Sequence, residues 1–158
     1  MDDNLEALTA HEDVMQLVTF TLGSEEYAID ILRVQEINRM ISITMVPNAP
    51  AYLEGVINLR GKVIPVVNLR KKFDIEELEN KQDAKIMIID LNGVTKGIIV
   101  DAVSEVLRIP SSIVEPPPPM STNVDIEYIN GIAKLDDRLI ILLNIDKLFG
   151  ENSEQGMF

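Results

Sequence analysis

From Gln16 onward apolar and polar residues alternate: Val18, Phe20 and Leu22 are interleaved with Thr19 and Thr21, the two-residue period of a half-buried strand. Gly23-Ser24-Glu25-Glu26 turns the chain, and Tyr27–Leu32 and Val34–Ile37 continue it in extended form. Pro47 and Pro50 interrupt the pattern before a short turn at Ala51–Leu53. In Gly55–Leu69 two runs rich in β-branched residues flank Arg60-Gly61, which predicts a hairpin with a cation at its tip. Pro65 has no N–H for a ladder, so the second arm is expected to be an edge or bulged there. Arg70–Phe73 predicts one helical turn, and the mostly charged stretch Asp74–Asp83 a connection. Ile86–Leu91 and Lys96–Val100 are apolar enough to be strands buried on both faces. A further helical turn is predicted from Ile109 to Ser112 and a closing helix over Asn144–Phe149, after which Gly150–Phe158 is expected to fray.

The pattern occurs twice. Gly131–Ile145 repeats the hairpin 76 residues on, with Tyr52 falling on Tyr128, Gly55 on Gly131, Leu59 on Leu135, Asn68 on Asn144 and Phe73 on Phe149. Upstream the offset is 69: Leu22 falls on Leu91, Ile29 on Ile98, Val34 on Val103 and Glu36 on Glu105. The second copy therefore holds seven extra residues, in the part containing Pro116–Pro119. These prolines read as a rigid polyproline II loop rather than a ligand for SH3 or WW domains, since no basic residues flank them. Two copies of one β-rich unit, about 16–73 and 85–149, organise the chain.

Length decides how the copies relate. A chain of 158 residues buries about 70% of its unfolded surface, whereas half that length is marginal alone, so the copies are expected to share a core. With only three tyrosines and four phenylalanines, aliphatic side chains must fill it. Residues 1–15 carry five carboxylates and no Lys or Arg, which reads as an acidic mobile tail with a nascent helical turn near Leu5–Leu8; 151–158 read as a second tail.

Charge and composition narrow the function. The formal charge of −12 disfavours binding to nucleic acid or to anionic membrane surfaces. Apolar runs such as Leu139–Leu143 are far shorter than the roughly 20 residues of a spanning helix, and Met1 leads into Asp2-Asp3 rather than a secretory signal. A cytoplasmic protein without membrane insertion is expected. There is no cysteine, and the only histidine, His11, lies in the acidic tail, so a thiolate, a His-based triad and a metal site are all without their residues. No glycine cluster precedes a helix as a phosphate cradle. The carboxylate pairs Glu25-Glu26, Glu76-Glu77 and Asp136-Asp137 fall at turns or in the connection, where they are solvated rather than poised for acid–base work. The expectation is no catalytic residues, no metal, no cofactor and no enzyme.

A binding module remains. Arg60-Gly61 at the first hairpin tip becomes Asp136-Asp137 at the second, so the tips differ in charge. Either each tip only keeps its turn in water, or Arg60 offers a fork for a partner's carboxylate or carbonyls. Val34/Glu36 and Val103/Glu105 hold equivalent places in the two copies. They read as core valines beside solvated glutamates, or as an apolar seam rimmed by charge that suits a partner helix. A barrel binding a small ligand is the reading from another class; a large empty pocket with converging polar groups would favour it.

Phe20–Ile37 with its Val-Gln-Glu-Ile, Pro47–Arg70 with Glu-Gly-Val and Asn-Leu-Arg-Gly, Gly97–Val106, Glu127–Ile132 and Leu139–Leu148 together resemble the CheW family of bacterial chemotaxis coupling proteins over about residues 16–150. The resemblance implies an all-β fold of two pseudo-symmetric, intertwined five-stranded SH3-like β-barrels sharing a core, with short helical turns and a short C-terminal helix. It implies no catalysis, and two partners: the cytoplasmic tip of methyl-accepting chemoreceptors and the regulatory domain of the histidine kinase CheA. Matched residue by residue to the motifs, Val34, Glu36, Gly55, Arg60, Gly97, Val103 and Val106 fall on positions associated with receptor or kinase contact. Ala28 departs from the glycine frequent in relatives. The same adaptor fold also fits another receptor–kinase pathway, such as pilus motility.

Overall fold

The computed structural model describes residues 13–76, 82–117 and 124–154. The turn expected near Leu5–Leu8, part of the proline run and the last four residues lie outside them. The first copy supplies β1 (Val14–Leu22), β2 (Glu25–Asp30), β3 (Val34–Arg39), β4 (Leu53–Leu59), β5 (Lys62–Asn68) and the single-turn helix α1 (Leu69–Lys72). The second supplies β6 (Lys85–Leu91), β7 (Val94–Val100), β8 (Ala102–Pro110), β9 (Val114–Glu115), β10 (Ile129–Leu135), β11 (Arg138–Leu143) and α2 (Ile145–Glu154). Three 3-10 turns, Ile31–Arg33, Ser111–Ile113 and Ile126–Tyr128, join strands.

The strands sort into sheets by exchange between the copies. One sheet has the order β8-β1-β2-β11-β10-β9 and the other β3-β6-β7-β5-β4. The first hairpin of each copy thus completes the sheet of the other, through antiparallel pairs β1–β8 and β3–β6 and parallel pairs β2–β11 and β5–β7. The sixth strand is only the two-residue β9, and its counterpart in the five-stranded sheet is a single bridge, Thr44 to Val56. The fold is the expected pair of intertwined barrels.

Strand alternation divides the apolar residues among three cores. Leu17, Ala28, Ile109, Ala133, Ile140 and Leu142 fill one barrel, and Ile57, Ile64, Val66, Ile86, Ile88 and Ile99 the other. The opposite faces of both sheets meet in a third and larger cluster that includes Phe20, Tyr27, Leu69, Phe73, Ile98, Ile141 and Phe149. Tyr27 stacks at 5.9 Å on Phe20 and lies 6.2 Å from Phe73, aromatic pairs worth about 0.5–1.5 kcal/mol beyond area burial. At the place equivalent to Tyr27 stands Lys96, 1% exposed, with its Nζ 5.3 Å from the Phe149 ring. Burial, and then the charge of Lys72, pull its ammonium below the ordinary lysine range.

The repeated Tyr and Asn make the same contacts in each copy. The backbone N–H of Asn68 donates to Tyr52 O and that of Asn144 to Tyr128 O, both at 2.8 Å. Each Asn side chain then caps the helix that follows, accepting from Lys71 N and Lys147 N. From that cap α2 runs to Glu154, past the fraying expected at Gly150; one helical glycine costs only about 1 kcal/mol. β1 begins at Val14, ahead of the alternating stretch, because Val14–Leu17 pair with Leu107–Pro110. Contrary to the expectation for Pro65, β5 is an inner strand, and the irregularity in its pairing with β4 falls at Glu54 of β4. The ladder to β7 starts only at Val66, so the missing N–H faces no partner strand, whereas the equivalent Ile141 pairs on both sides.

Two of the ion pairs that tie the copies together occupy pseudo-equivalent places. Arg70 donates from Nε and Nη2 to the two oxygens of Asp101 at 2.7 and 2.6 Å, with side chains 10% and 14% exposed. Asp101 also accepts from Gly23 N at 2.7 Å, so its carboxylate joins α1, the end of β7 and the β1–β2 turn. Arg33 and Asp146 form the pseudo-equivalent pair in a more exposed setting. Arg70→Met is expected to cost about 3 kcal/mol by leaving the largely covered Asp101 carboxylate without its guanidinium, and Arg33→Met about 1 kcal/mol or less; urea unfolding of both variants measures the contrast. Lys96→Met should be more stable than the native chain at neutral pH. Because the folded-state pKa of Lys96 is lowered, its destabilising effect is present at neutral pH and fades as pH rises towards about 10.4, so the advantage should shrink between pH 7 and 10 in thermal melts.

Candidate partner-binding site

β3 and β8 are edge strands of the two barrels, and each carries a bulge at the same point. Val34 and Glu36 stand opposite the consecutive residues Ile89 and Ile88, which leaves Gln35 as the extra residue; Val103 and Glu105 stand opposite Phe20 and Thr19, leaving Ser104. A bulge breaks the two-residue period and re-aims side chains. Val34 and Val103 turn onto the shared core, while the glutamates reach side chains of the hairpins. In the second barrel the buried Thr19 hydroxyl satisfies the disrupted ladder, donating to Glu105 O and accepting from Glu105 N at 3.3 and 3.2 Å. Ile88 at the equivalent position of the first barrel has no such group.

In the first barrel, Glu36 pairs with Arg60 at the β4–β5 tip. Asn38, two residues on, donates from Nδ2 to Glu36 Oε1 at 3.0 Å. The guanidinium of Arg60 first, and the Asn38 amide second, hold the Glu36 carboxyl below its usual range. The contact spans β3 and β4–β5, the two ends of the five-stranded sheet, and so fastens the open side of the barrel. Arg60 keeps 71% of its side chain exposed against 26% for Glu36. It is a cation held in one place yet open to solvent. Both tip residues have positive φ, 52° at Arg60 and 84° at Gly61, as a tight two-residue hairpin turn requires.

The second barrel answers differently. Its tip carries Asp136, and Glu105 pairs instead with Arg138 of β11 at 2.8 Å. Arg138 also donates to both oxygens of Glu26, at 3.1 and 2.6 Å. Its equivalent Lys62 donates to Thr95 Oγ1 at 2.9 Å. The shared basic character of 62 and 138 was a signal in the sequence. Asn38 gave none, because a bulge cannot be read from the pattern.

The remaining site residues divide. Val106 is 55% exposed on β8. Gly55 and Gly97 are buried. A Cβ on Gly55, whose φ is 150°, would fall within 3.0 Å of the Thr44 carbonyl that bridges to Val56. On Gly97 it would enter the filled barrel, 3.1 Å from Ile86 and 3.3 Å from Val66. The structure thus brings Glu36 and Arg60 together, sets Gly55 beside Thr44 and Val34 and Val103 against the shared core from different sheets, and places Gly97 inside. An apolar cleft of about 490 Å³ lies on the outside of the first barrel, lined by Val46, Val56, Val63, Pro65 and Val94, with Lys62 and Thr95. Val63 there is 63% exposed.

A family model for the CheW-like domain matches residues 16–153. The chain belongs to the CheW-like family. Its relatives include the chemotaxis protein CheW of Treponema pallidum, 36% identical over 152 residues that cover 94% of this chain and 89% of that one. The chemotaxis protein CheW of Klebsiella aerogenes is 37% identical over 133 residues, covering 84% and 80%. The crystal structure of the scaffolding protein TtCheW from Thermoanaerobacter tengcongensis superposes with a TM-score of 0.79 at 43% identity, covering 88% of this CheW-like chain and 90% of that one. No helix among the described residues is long and apolar enough to cross a membrane.

The glycines allow a direct check of scaffold against surface. Gly55→Ala is expected to lose about 2 kcal/mol or more, from strain and a backbone clash, and Gly97→Ala about 1 kcal/mol. Chemical denaturation of the two variants should rank them in that order.

Proposed function

We propose that this CheW-like protein is a chemotaxis scaffold that couples the cytoplasmic tips of chemoreceptors to the regulatory domain of the histidine kinase CheA, in the cytoplasm beside membrane-bound receptor arrays. The observation that carries the reading is the first-barrel closure: an Arg60 guanidinium anchored by Glu36 yet mostly exposed. A guanidinium fixed by one carboxylate still has N–H groups for a partner's carboxylate or carbonyls, and its orientation is already set. Val34 and Val103 border the shared core on equivalent edge strands, and Val106 adds exposed apolar surface. Such surface suits a helical partner better than a small molecule. The small-ligand reading has less support, since aliphatic side chains occupy both barrel interiors and the apolar cleft is external.

Gly55 and Gly97 enter this reading as residues that shape the surface, not as residues that touch a partner. Arg60→Asp and Val106→Glu should each weaken binding to a soluble receptor-tip fragment or to the kinase regulatory domain, roughly tenfold or more, with little change in thermal unfolding. Val34→Glu should also lower stability, because Val34 packs on the core. Co-sedimentation with each partner separately tests this; unchanged binding in both surface variants would remove these residues from the site.

A further inference from the structure

Within the first barrel's closure, the geometry points to Asn38 as a positioning residue: its amide holds the Glu36 carboxylate towards the β4–β5 tip, and so fixes the direction in which Arg60 meets a partner. This inference rests on the reading of Glu36 and Arg60 as partner contacts. Three observations carry it. Asn38 Nδ2 donates to Glu36 Oε1 at 3.0 Å, the oxygen that Arg60 Nη1 reaches only at 3.5 Å, while Arg60 Nη2 takes the other oxygen. Each oxygen thus has its own principal donor, and the carboxylate plane is set from both sides. Asn38 is partly buried on β3 beyond the bulge, where regular pairing with Ile86 gives it a defined place from which to reach back.

The third observation is the internal control that the repeat provides. The residue equivalent to Asn38 in the second copy is Leu107, which packs on its barrel's own core and has no donor. There the equivalent glutamate, Glu105, meets Arg138 on a strand and not the hairpin tip. Without the amide, and with an acidic tip, the bulged glutamate turns elsewhere. Asn38 and Arg60 together are what distinguish the first closure from the second.

Asn38→Leu, which installs the residue of the second barrel, tests the assignment in the full chain. Carboxyl-carbon NMR should show the Glu36 titration midpoint moving up towards an ordinary glutamate, since the carboxylate loses a donor, while the melting temperature changes little. Affinity for a receptor-tip fragment should fall roughly three- to tenfold, the loss expected for one hydrogen bond, and the double variant Asn38→Leu/Arg60→Ala should bind no more weakly than Arg60→Ala alone. An unmoved Glu36 midpoint would overturn the positioning role whatever happens to binding. A midpoint that moves with unchanged affinity would uphold the positioning role and overturn the partner-site reading instead. Should Asn38→Leu unfold, Asn38→Ala carries the same two readouts.

Discussion

The Arg70 guanidinium lies against the Asp101 carboxylate with almost no water access, and Asp101 simultaneously holds the backbone N–H of Gly23. That three-way contact sits where the fold is least self-evident. A hairpin from one half of the chain must leave its own neighbours and complete the sheet of the other half. Hydrophobic burial favours any arrangement that covers the strands, so it does not by itself select exchange over two separate sheets. A buried fork-to-carboxylate pair does discriminate, because only the exchanged arrangement brings Arg70 of the first copy to Asp101 of the second. Ion pairs of this kind add little net stability over apolar substitutes, yet they penalise every alternative that leaves one charge buried alone.

The second clasp shows how duplication handles such a contact. Asp146 occupies the helix position of Arg70, and Arg33 stands next to the place equivalent to Asp101. The sign of the pair is reversed while its place in the fold is kept; Arg70 meets both oxygens of Asp101, and Arg33 one oxygen of Asp146. Each clasp joins the beginning of one copy's helix to the end of the other copy's hairpin, and the reversal lets each helix discriminate between the hairpin it needs and its own. Arg70 and Asp101 are the better-buried version.

The repeat was legible because its marks are geometric necessities. Gly131 returns at Gly55's place, since at both points a neighbouring segment, Thr44 in one copy and Val114–Glu115 in the other, lies where a Cβ would stand. Asn144 returns at Asn68's place because each Asn caps a helix and closes onto a tyrosine carbonyl. The alternation of Val18, Phe20 and Leu22 gave the strand, but not that its other face would meet Ile109 and Ala133 of the second copy. Exchange leaves no local trace, since a hairpin has the same pattern whichever sheet receives it. Pro65 shows the same gap: its missing N–H was a sound constraint, but where the neighbouring ladder begins depends on a strand some 30 residues away.

The candidate site was legible only in part, and for a related reason. Val34 and Glu36 are two apart, which on a regular strand puts both on one face; the bulge at Gln35 separates them. One residue then packs on the core, and the other pairs with Arg60 at the surface. A bulge at the matching place in β8 does the same for Val103 and Glu105. The backbone device was therefore in place in both copies, while the side chains that receive the glutamate differ: Asn38 and Arg60 in one, Arg138 in the other. At this edge the barrels differ in those few donor positions, which can change without disturbing the shared core. That separation lets one duplicated fold present two chemically unlike surfaces.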